Sequence, residues 1–450
     1  MPDIDAGTKS NSPMSTGRSI TLSAVIACTI LGALSLPAPA QARLTIEVTG
    51  GVEAAQPIAV VPFGVSEGLI PKEDVATIIA ADLVRTGKFR AMPTRDMLSM
   101  PSTATEVDLR DWSLLNMNSL VIGRVEQEET GYRVSYSLFD VFGGKEIATI
   151  SHSTTPGGLR PTAHRIADEI YEKLTGQPGV AATRIAYITA NGRGNNQTVT
   201  LRVADADGSN SQTIVSSHEP IMSPAWSPDG RRLAYVSFEN RRPAIYVQDL
   251  ASGQRDLVAS YPGINGSPAF SPDGQRLAMT LSKDGNANIY VLDLLSRQLT
   301  QVTDHFAIDT EPAWSPDGND LIFTSDRGGS PQIYRTSATG GPATRVSTEG
   351  DYNARSSYSP DGKSITMVTR VNGQFRIAVQ DLARGYTKLL SQGSLDESPS
   401  FSPNGSMVIY ATIQNGQGVL ATAAIEGGGS QRLSQDTGEV REPAWSPKIK

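Results

Sequence analysis

Short apolar segments recur along the second half of the chain, and each follows a polar turn. Examples are residues 233–236, 277–279 and 321–323. A second apolar segment comes about ten residues later, as at 245–247 and 289–291. Segments this short, rich in aromatic and β-branched residues and bounded by Gly, Asn and Asp, are typical of β-strands. The pattern therefore predicts an all-β region built from repeated units.

Each repeated unit carries the same motif at its turn. The motif reads SPAWSPDG at 223–230, SPAFSPDG at 267–274 and EPAWSPDG at 311–318, with weaker copies at 356–362, 398–405 and 442–448. The aromatic residues of the copies lie 43 or 44 residues apart: Trp226, Phe270, Trp314, Tyr358, Phe401 and Trp445. A period in the forties with strand-like contents indicates propeller blades. The Asp-Gly pair favours a hairpin turn, because Gly adopts positive φ at little cost.

The phase of the repeat predicts how the ring closes. An apolar segment at 184–188 precedes the first copy of the motif, and no such segment follows the last copy. The first blade therefore lacks its leading strand, and the strand that carries Trp445 supplies it. We predict a six-bladed β-propeller at 184–450, closed in this way so that no sheet edge stays open. The motif's aromatic residue is expected to pack between neighbouring blades.

The first half of the chain alternates helical and strand patterns. Apolar positions at helix spacing predict helices at 71–86, 108–117 and 163–174, and shorter apolar segments predict strands at 58–63, 89–92, 119–126, 131–142 and 145–152. These elements predict an α/β domain at 51–176, and 177–183 is a linker. The fold class is thus an N-terminal α/β domain followed by an all-β six-bladed β-propeller.

The N-terminus has the composition of a signal peptide. An apolar segment at 20–36 is followed by the cleavage pattern Ala40-Gln41-Ala42, so residues 1–42 are expected to be removed. Cys28, the single cysteine of the chain, loosely matches a lipoprotein processing site, but apolar residues continue beyond it. The mature chain would begin at Arg43, and residues 43–50 would form an N-terminal arm. The predicted location is the periplasm.

Composition and motifs bear on the class of function. A net charge of −7 and a sequence pI of about 5.3 give no support for nucleic-acid binding. Residues 64–68 match the G-x-S-x-G pattern of serine hydrolases, but no helix is predicted directly after Ser66. Residues 205–208 resemble the start of a calcium loop, yet position 216 is Ser where that loop needs Glu, so a hairpin turn is favoured. We predict no catalytic residue, no cofactor and no metal site.

The loops that enter the inner strands are expected to meet at one end of the central channel. Loops on a rigid scaffold commonly carry recognition, so we predict a partner site there, which we call the mouth. The predicted mouth residues are His218, Glu219, Asn265, Asp309, Thr310, Glu311, Asn353, Arg355, Asp396, Glu397, Arg441 and Glu442. The loops carry more acidic than basic residues, so the mouth is expected to attract basic groups.

Several segments resemble the TolB family, the periplasmic components of the Tol–Pal system of Gram-negative bacteria. They include PIAVVPF at 57–63, AADLVRTGKF at 80–89, EKLTG at 172–176, RIAY at 184–187 and IMSPAWSPDG at 221–230. The resemblance runs from about Arg43 to Lys450. The fourth copy of the motif departs from the pattern, since Ser356 replaces its Pro, and this is not expected to change the fold.

The resemblance implies a non-enzymatic adaptor that supports outer-membrane integrity and constriction during cell division. It implies that the mouth binds the peptidoglycan-associated lipoprotein Pal. It also implies that the α/β domain and the arm contact TolA, with other envelope proteins as further possible partners and membrane association only through partners. The arm residues concerned are Arg43, Leu44, Thr45, Ile46, Glu47 and Val48.

Other classes of function remain open alternatives. One is a periplasmic hydrolase or dehydrogenase that contains a propeller, although a propeller-gated peptidase needs a further hydrolase domain of some two hundred residues. Another is a protein that binds a ligand such as a sugar. Ester, peptide and sugar ligands tested beside a pull-down from envelope extract would separate these alternatives from an adaptor.

Overall fold

The structure, a computed structural model, describes residues 55–192, 194–427, 430–433 and 438–448. The predicted signal peptide and the predicted arm lie outside the described residues.

The first part of the described chain forms one mixed sheet with three α-helices. Its strands are β1 (Gln56–Val60), β2 (Gly64–Val65), β3 (Phe89–Ala91), β4 (Ser119–Glu128), β5 (Gly131–Asp140) and β6 (Lys145–Thr154). The helices are α1 (Val75–Arg85), α2 (Leu109–Leu114) and α3 (Leu159–Thr175), with 3₁₀ turns at Thr94–Asp96 and Ala104–Glu106. The strand order is β3-β1-β4-β5-β6, and β2 pairs with β4. This confirms the α/β prediction.

Helices α1 and α3 pack on this sheet through their apolar faces. Ile79 of α1 and Ile166 and Ile170 of α3 are fully buried in one core with strand residues such as Ile58. Helix α1 begins four residues later than predicted, because the Asp74 side chain caps it and accepts a hydrogen bond from the Thr77 backbone N–H at 3.1 Å. Helix α3 begins four residues earlier than predicted. Its proline, at 161, lies in the first turn, where a missing N–H costs nothing.

The rest of the described chain forms six four-stranded antiparallel sheets, the blades of a propeller. Blade 1 contains β30 (Glu439–Trp445), β7 (Arg184–Asn191), β8 (Thr198–Asp205) and β9 (Gln212–Ser217), with a 3₁₀ turn at Gly194–Asn196. Blade 2 contains β10 (Ile221–Trp226), β11 (Arg232–Ser237), β12 (Ala244–Asp249) and β13 (Arg255–Ala259). Blade 3 contains β14 (Asn265–Phe270), β15 (Arg276–Leu281), β16 (Asn288–Asp293) and β17 (Leu299–Gln301).

The other three blades repeat this order. Blade 4 contains β18 (Asp309–Trp314), β19 (Asp320–Ser325), β20 (Gln332–Ser337) and β21 (Thr344–Arg345). Blade 5 contains β22 (Asn353–Tyr358), β23 (Ser364–Val371), β24 (Gln374–Asp381) and β25 (Thr387–Leu389). Blade 6 contains β26 (Glu397–Phe401), β27 (Met407–Gln414), β28 (Gln417–Ala424) and β29 (Ser430–Arg432).

The ring closes through β30, as the phase of the repeat predicted. Strand β30 pairs antiparallel with β7, with Trp445 opposite Ile185. The Trp445 indole N–H donates a hydrogen bond to Thr183 Oγ1 at 2.8 Å, and Trp445 shares a buried core with Met407 and Ile409 of blade 6. Residues from the two ends of the propeller thus share one sheet and one core.

The contacts of the repeated motif explain its composition. The Ser227 hydroxyl donates to Asp229 Oδ1, which also accepts from the backbone N–H of Arg231, so Ser and Asp hold the turn in shape. The Trp226 indole N–H donates to the Ala444 carbonyl of blade 1 at 3.0 Å, and the Arg184 guanidinium lies 5.3 Å from the ring centre. The aromatic residue therefore packs between blades, as predicted.

The departure from the motif at Ser356 leaves the strand intact. Strand β22 pairs with β23 and shows the same register shift as the other inner strands. The missing Pro is therefore not needed for this geometry.

Candidate functional site

The first strand of every blade bulges at the same position, three residues before the motif's aromatic residue. The register shifts there in all six inner strands. The bulge residues have φ between 47° and 57°, the left-handed region that side chains rarely adopt. They are Ser223, Ser267, Glu311, Arg355, Ser398 and Glu442. A bulge redirects a side chain, and these six residues, one per blade, line a shared cavity of about 150 Å³.

The cavity contains one arginine between two glutamates from other blades. Arg355 Nε donates to Glu311 Oε1 at 3.0 Å, and Arg355 Nη2 lies 4.0 Å from Glu442 Oε1. The same guanidinium contacts the Ser398 hydroxyl. Burial opposes the charge of Arg355, but Glu442 and Glu311 outweigh it and raise the pKa of Arg355. The channel wall is therefore bridged from blade to blade by internal ion pairs.

Four predicted mouth residues have buried side chains. Asn265, Asp309, Asn353 and Asp396 occupy the equivalent position where the inner strand begins, and each is at most 1% exposed. Asp309 accepts two hydrogen bonds from Arg327 Nη2, at 2.7 and 2.9 Å. Asn265 accepts from the Tyr261 backbone N–H at 2.8 Å. These four side chains are buried and bonded within their own loops, and their contribution to a partner site stays a prediction.

The residues directly before three of these buried residues are exposed instead. Ile264, Ile308 and Leu395, each directly before its buried polar residue, are 50%, 52% and 41% exposed. Phe306, two residues before Ile308, is 87% exposed. Successive side chains alternate in direction along extended backbone, so the polar residue turns inward and the apolar one faces solvent. These apolar residues are not among the mouth residues predicted from the sequence.

The remaining predicted mouth residues lie at the same end of the blades. His218 and Glu219 are exposed, and His218 Nδ1 lies 3.1 Å from the Gln197 carbonyl. Thr310, Glu397 and Arg441 are half-buried.

Three acidic residues of the mouth loops are paired with arginines of the same protein. Asp309 pairs with Arg327, and Asp351 lies 2.8 Å from Arg370. Glu311 is held by Arg355 in the cavity. These pairs offset part of the acidic charge on which the predicted attraction of basic groups depends.

The two motifs that suggested other chemistry occupy loops. Ser66 donates its backbone N–H to the Val125 carbonyl at 3.2 Å, and the next helix begins only at Val75. A nucleophile elbow requires a helix directly after the serine. The segment at 205–208 forms the turn between β8 and β9, with the Gly208 N–H donating to the Asp205 carbonyl at 2.8 Å. Both interpretations as loops are confirmed.

A cluster that the sequence did not reveal joins the α/β domain to blade 1. Among the described residues, potential ligand atoms of Asp82, His164 and Asp207 lie within 4.8 Å of one another, and all three side chains are buried. However, Arg85 lies 3.0 Å from Asp82, and Arg160 lies 2.6 Å from Asp207. Since cations already hold both carboxylates, we interpret this group as an ion-pair network rather than a metal site.

Comparison with known proteins agrees with this architecture. Residues 44–147 match the family model described as the TolB amino-terminal domain, and residues 171–449 match the TolB beta propeller domain. The crystal structure of TolB from Acinetobacter baumannii is 40% identical and covers 90% of this chain and all of that one, with a TM-score of 0.83.

Curated relatives agree as well. A protein of Xanthomonas campestris pv. campestris (strain B100) named "Tol-Pal system protein TolB" is 50% identical over 241 residues, 52% of this chain and 55% of the relative. A protein of the same name from Nitrosococcus oceani is 48% identical over 246 residues, 53% of this chain and 56% of the relative. The chain thus spans about half the length of the curated relatives it matches. The propeller model alone matches more than half of the chain, so the chain belongs to the TolB family of Tol–Pal system proteins.

Proposed function

We propose that this protein is a non-enzymatic adaptor of the Tol–Pal system in the periplasm. Its propeller mouth binds Pal, and its α/β domain and N-terminal arm contact TolA. Through these contacts it supports outer-membrane integrity and constriction during cell division. Membership of the family supports a role in this system, and the partners named here are our proposal.

The observation that carries the proposal is the exposed apolar surface of the mouth. Ile264, Phe306, Ile308 and Leu395 come from three different blades and are all exposed at one end of the propeller. Exposed apolar groups on the loops of a rigid scaffold are a common feature of interaction surfaces. The polar residues beside them fix the loops, so this surface is held in shape before a partner arrives.

The bulge cavity adds depth to the same surface. Glu311 and Glu442 are half-buried there, and Ser223 and Ser267 line it with them. The carboxylates in the cavity already interact with Arg355 and accept hydrogen bonds from backbone N–H groups. A partner side chain that reached the cavity would therefore meet carboxylates that already have partners. We therefore expect apolar contact at the rim to supply most of the affinity, with Glu311 contributing through the arrangement of Arg355.

The experiment is titration calorimetry of the mature protein against purified Pal. We expect Phe306→Ala and Ile308→Ala each to weaken binding by about 1–3 kcal/mol, as for residues at the centre of an interface. We expect Glu311→Ala to weaken binding within the same range. A matched control is Leu295→Ala, because Leu295 is 95% exposed but lies in the β16–β17 turn at the opposite end of blade 3.

The outcomes separate the mouth from other surfaces. Unchanged affinity in all three mouth variants, with unaltered melting curves, would place the Pal site elsewhere, most plainly on the α/β domain. Equal losses in Leu295→Ala and Ile308→Ala would show a nonspecific effect of removing an exposed apolar group. No heat of binding with wild-type protein would overturn the partner itself.

The location of the protein is part of this proposal. Among the described residues, we find no helix with both the length and the apolar character needed to cross a bilayer. The signal pattern at 1–42 supports export, and removal of this segment would leave the arm at the new N-terminus. A deletion of residues 43–50 that abolished TolA capture but left Pal binding intact would support the division of partners proposed here.

A further inference from the structure

The ion-pair network between the α/β domain and blade 1 is centred on His164. This side chain, on α3, is only 2% exposed. Its Nδ1 lies 2.6 Å from Asp82 Oδ2 on α1. Its Nε2 lies 3.8 Å from Asp207 Oδ2 and 4.0 Å from Asp205 Oδ2, at the β8–β9 turn of blade 1. One imidazole ring therefore lies between carboxylates of the two domains.

Further charged groups surround this ring on every packed element. Arg85 of α1 lies 3.0 Å from Asp82. Arg160 of α3 lies 2.6 Å from Asp207 and 3.0 Å from Glu73, which precedes α1. Asp168, one turn after His164, accepts hydrogen bonds from the backbone N–H groups of Ala181 and Ala182 in the linker, at 2.6 and 3.1 Å. Lys448 also acts electrostatically on Asp168.

The protonation state of His164 decides whether it joins or separates the domains. In the neutral ring, Nδ1–H can donate to Asp82, and a lone pair at Nε2 then faces the carboxylates of Asp205 and Asp207. Among the described residues, buried Nε2 has no hydrogen-bond partner. In the charged ring both nitrogens carry a proton, so the ring attracts carboxylates on both sides.

We propose that this cluster is a proton-sensitive latch that fastens the α/β domain to the propeller while His164 is charged and loosens when His164 becomes neutral. The linker at 177–183 is part of the latch, because Asp168 on the same helix binds it. The inference goes beyond the proposed adaptor role, since it concerns how tightly the two domains hold each other and does not depend on a partner.

The direction of the pH effect follows from the environment of His164. Burial lowers the pKa of His164, but Asp82 and then Asp207 outweigh it, and the pKa of His164 is raised. A raised pKa in the folded state gives a stabilising contribution that is complete below the ordinary value of about 6.5 and is lost as pH rises through the folded value. The latch is therefore closed in mild acid and opens as pH rises above the ordinary pKa of histidine.

Two carboxylic acids of the cluster also titrate with raised pKa values. Burial raises the pKa of Asp168 to about 6 and also raises the pKa of Asp205. Both changes act in the same direction as that of His164. Asp168 is largely ionised by pH 7, so a change measured between pH 7 and 9 reports mainly on His164. His164→Gln lacks the imidazole but keeps both carboxylic acids. Subtracting its pH profile from that of the wild type therefore isolates the contribution of His164.

The test is hydrogen exchange of the full mature chain, followed by mass spectrometry and corrected for the intrinsic exchange rate at each pH. In wild-type protein we expect the linker at 177–183 to lose protection as pH rises from 7 to 9, the direction that the raised pKa of His164 sets. In His164→Gln we expect low protection that does not vary over this range. The matched control is His218→Gln. His218 lies at the mouth end of the propeller, away from the β8–β9 turn, so this variant should keep the wild-type dependence of linker protection on pH.

Two results would overturn the latch. One is wild-type protection that stays constant from pH 7 to 9, and the other is an equal decrease in His164→Gln. If His164→Gln does not fold, proton NMR of wild-type protein decides the question, because the remaining histidines, His152, His218 and His305, can be assigned by substitution. A measured pKa for His164 at or below its ordinary value would refute the proposal.

Discussion

Removing the side chain of Trp445 should open the ring. Trp445 is 6% exposed and lies among Met407, Ile409 and Leu433 at the junction of blades 6 and 1. Its strand is the first strand of blade 1, although it comes last in the chain. A cavity at this place would weaken the contact that joins the two ends of the propeller. The perturbation we consider is Trp445→Ala, with Trp445→Phe as a smaller step.

The magnitude has two parts. Truncating a buried tryptophan to alanine costs about 3–5 kcal/mol in lost packing and cavity formation. The indole also donates to Thr183 Oγ1 at 2.8 Å, a hydrogen bond worth about 1 kcal/mol. Thr183 keeps its own hydrogen bond to the Val180 carbonyl at 2.6 Å, so the threonine is not left without a partner. We therefore expect a loss of about 4–6 kcal/mol for Trp445→Ala, and of about 1–2 kcal/mol for Trp445→Phe.

The assay is equilibrium unfolding in urea, followed by far-UV circular dichroism, with Leu295→Ala as the exposed control. A loss of this size is a large share of the 5–15 kcal/mol that a typical domain has in total. Recovery of part of the Trp445→Ala variant as unfolded protein agrees with the expectation. A Trp445→Ala variant within about 1 kcal/mol of wild type, like Leu295→Ala, would refute our account of ring closure.

Three further predictions concern the channel, the junction and export. Arg355→Ala should lower the free energy of unfolding by about 1–2 kcal/mol, because Glu311 and Glu442 then lack their shared cation. Urea denaturation should show a smaller loss for this variant in high salt, and a smaller loss for Arg355→Lys than for Arg355→Ala. Asp168, whose pKa is about 6 in the folded protein, contributes stability that is present below its ordinary pKa of about 3.9 and lost as pH rises through 6. Between pH 4 and 6.5, wild-type protein should therefore lose about 1–3 kcal/mol relative to Asp168→Asn, and parallel pH profiles would contradict this. N-terminal sequencing of protein from the periplasmic fraction should begin at Arg43, whereas a lipid-modified Cys28 as first residue would exclude the proposed cleavage.

Most of the fold could be predicted because its determinants repeat. The spacing of Trp226, Phe270 and Trp314 reports the size of a blade, and the unmatched segment at 184–188 reports how the ring closes. Each of these signals is local in the sequence and is independently present in several copies. Boundaries were less accurate, since single side chains set them, as Asp74 does at the start of α1.

The end of the propeller at which the inner-strand loops meet could be predicted from the sequence, but the exposure of individual side chains could not. The loops that precede the inner strands were correctly expected at one end of the propeller. However, the sequence does not reveal which of two adjacent residues, such as Ile308 and Asp309, turns inward. Polar residues were assigned to the surface by their type, and the strand geometry turns four of them inward, Asn265, Asp309, Asn353 and Asp396. Neighbouring residues on extended backbone point to opposite faces, so an error of one residue exchanges the buried and the exposed side chain. Residue type alone was therefore a poor guide to which side chain is exposed.

The network around His164 was unpredictable for a different reason. Its members come from α1, α3 and the β8–β9 turn, and Asp82 and Asp207 are separated by more than a hundred residues of chain. No spacing rule connects residues that meet only after two domains have folded. His164 itself lies in a helix where neighbouring residues suggest nothing unusual.

The closing strand connects the two sites described above. Glu442, at the middle of β30, accepts a hydrogen bond from the Ser223 backbone N–H in the channel. Trp445, three residues later, lines a cavity of about 20 Å³ together with Asp168 and Tyr171 of α3. One short strand thus contributes to the channel wall, to the closure of the ring and to the packing of the α/β domain. Because Trp445 also binds Thr183 of the linker, the ring cannot open at this seam without disturbing the junction. We therefore expect Trp445→Ala to raise hydrogen exchange in the linker as well as in blade 1, whereas Trp314→Ala, a similarly buried aromatic on blade 4, should leave the linker unchanged.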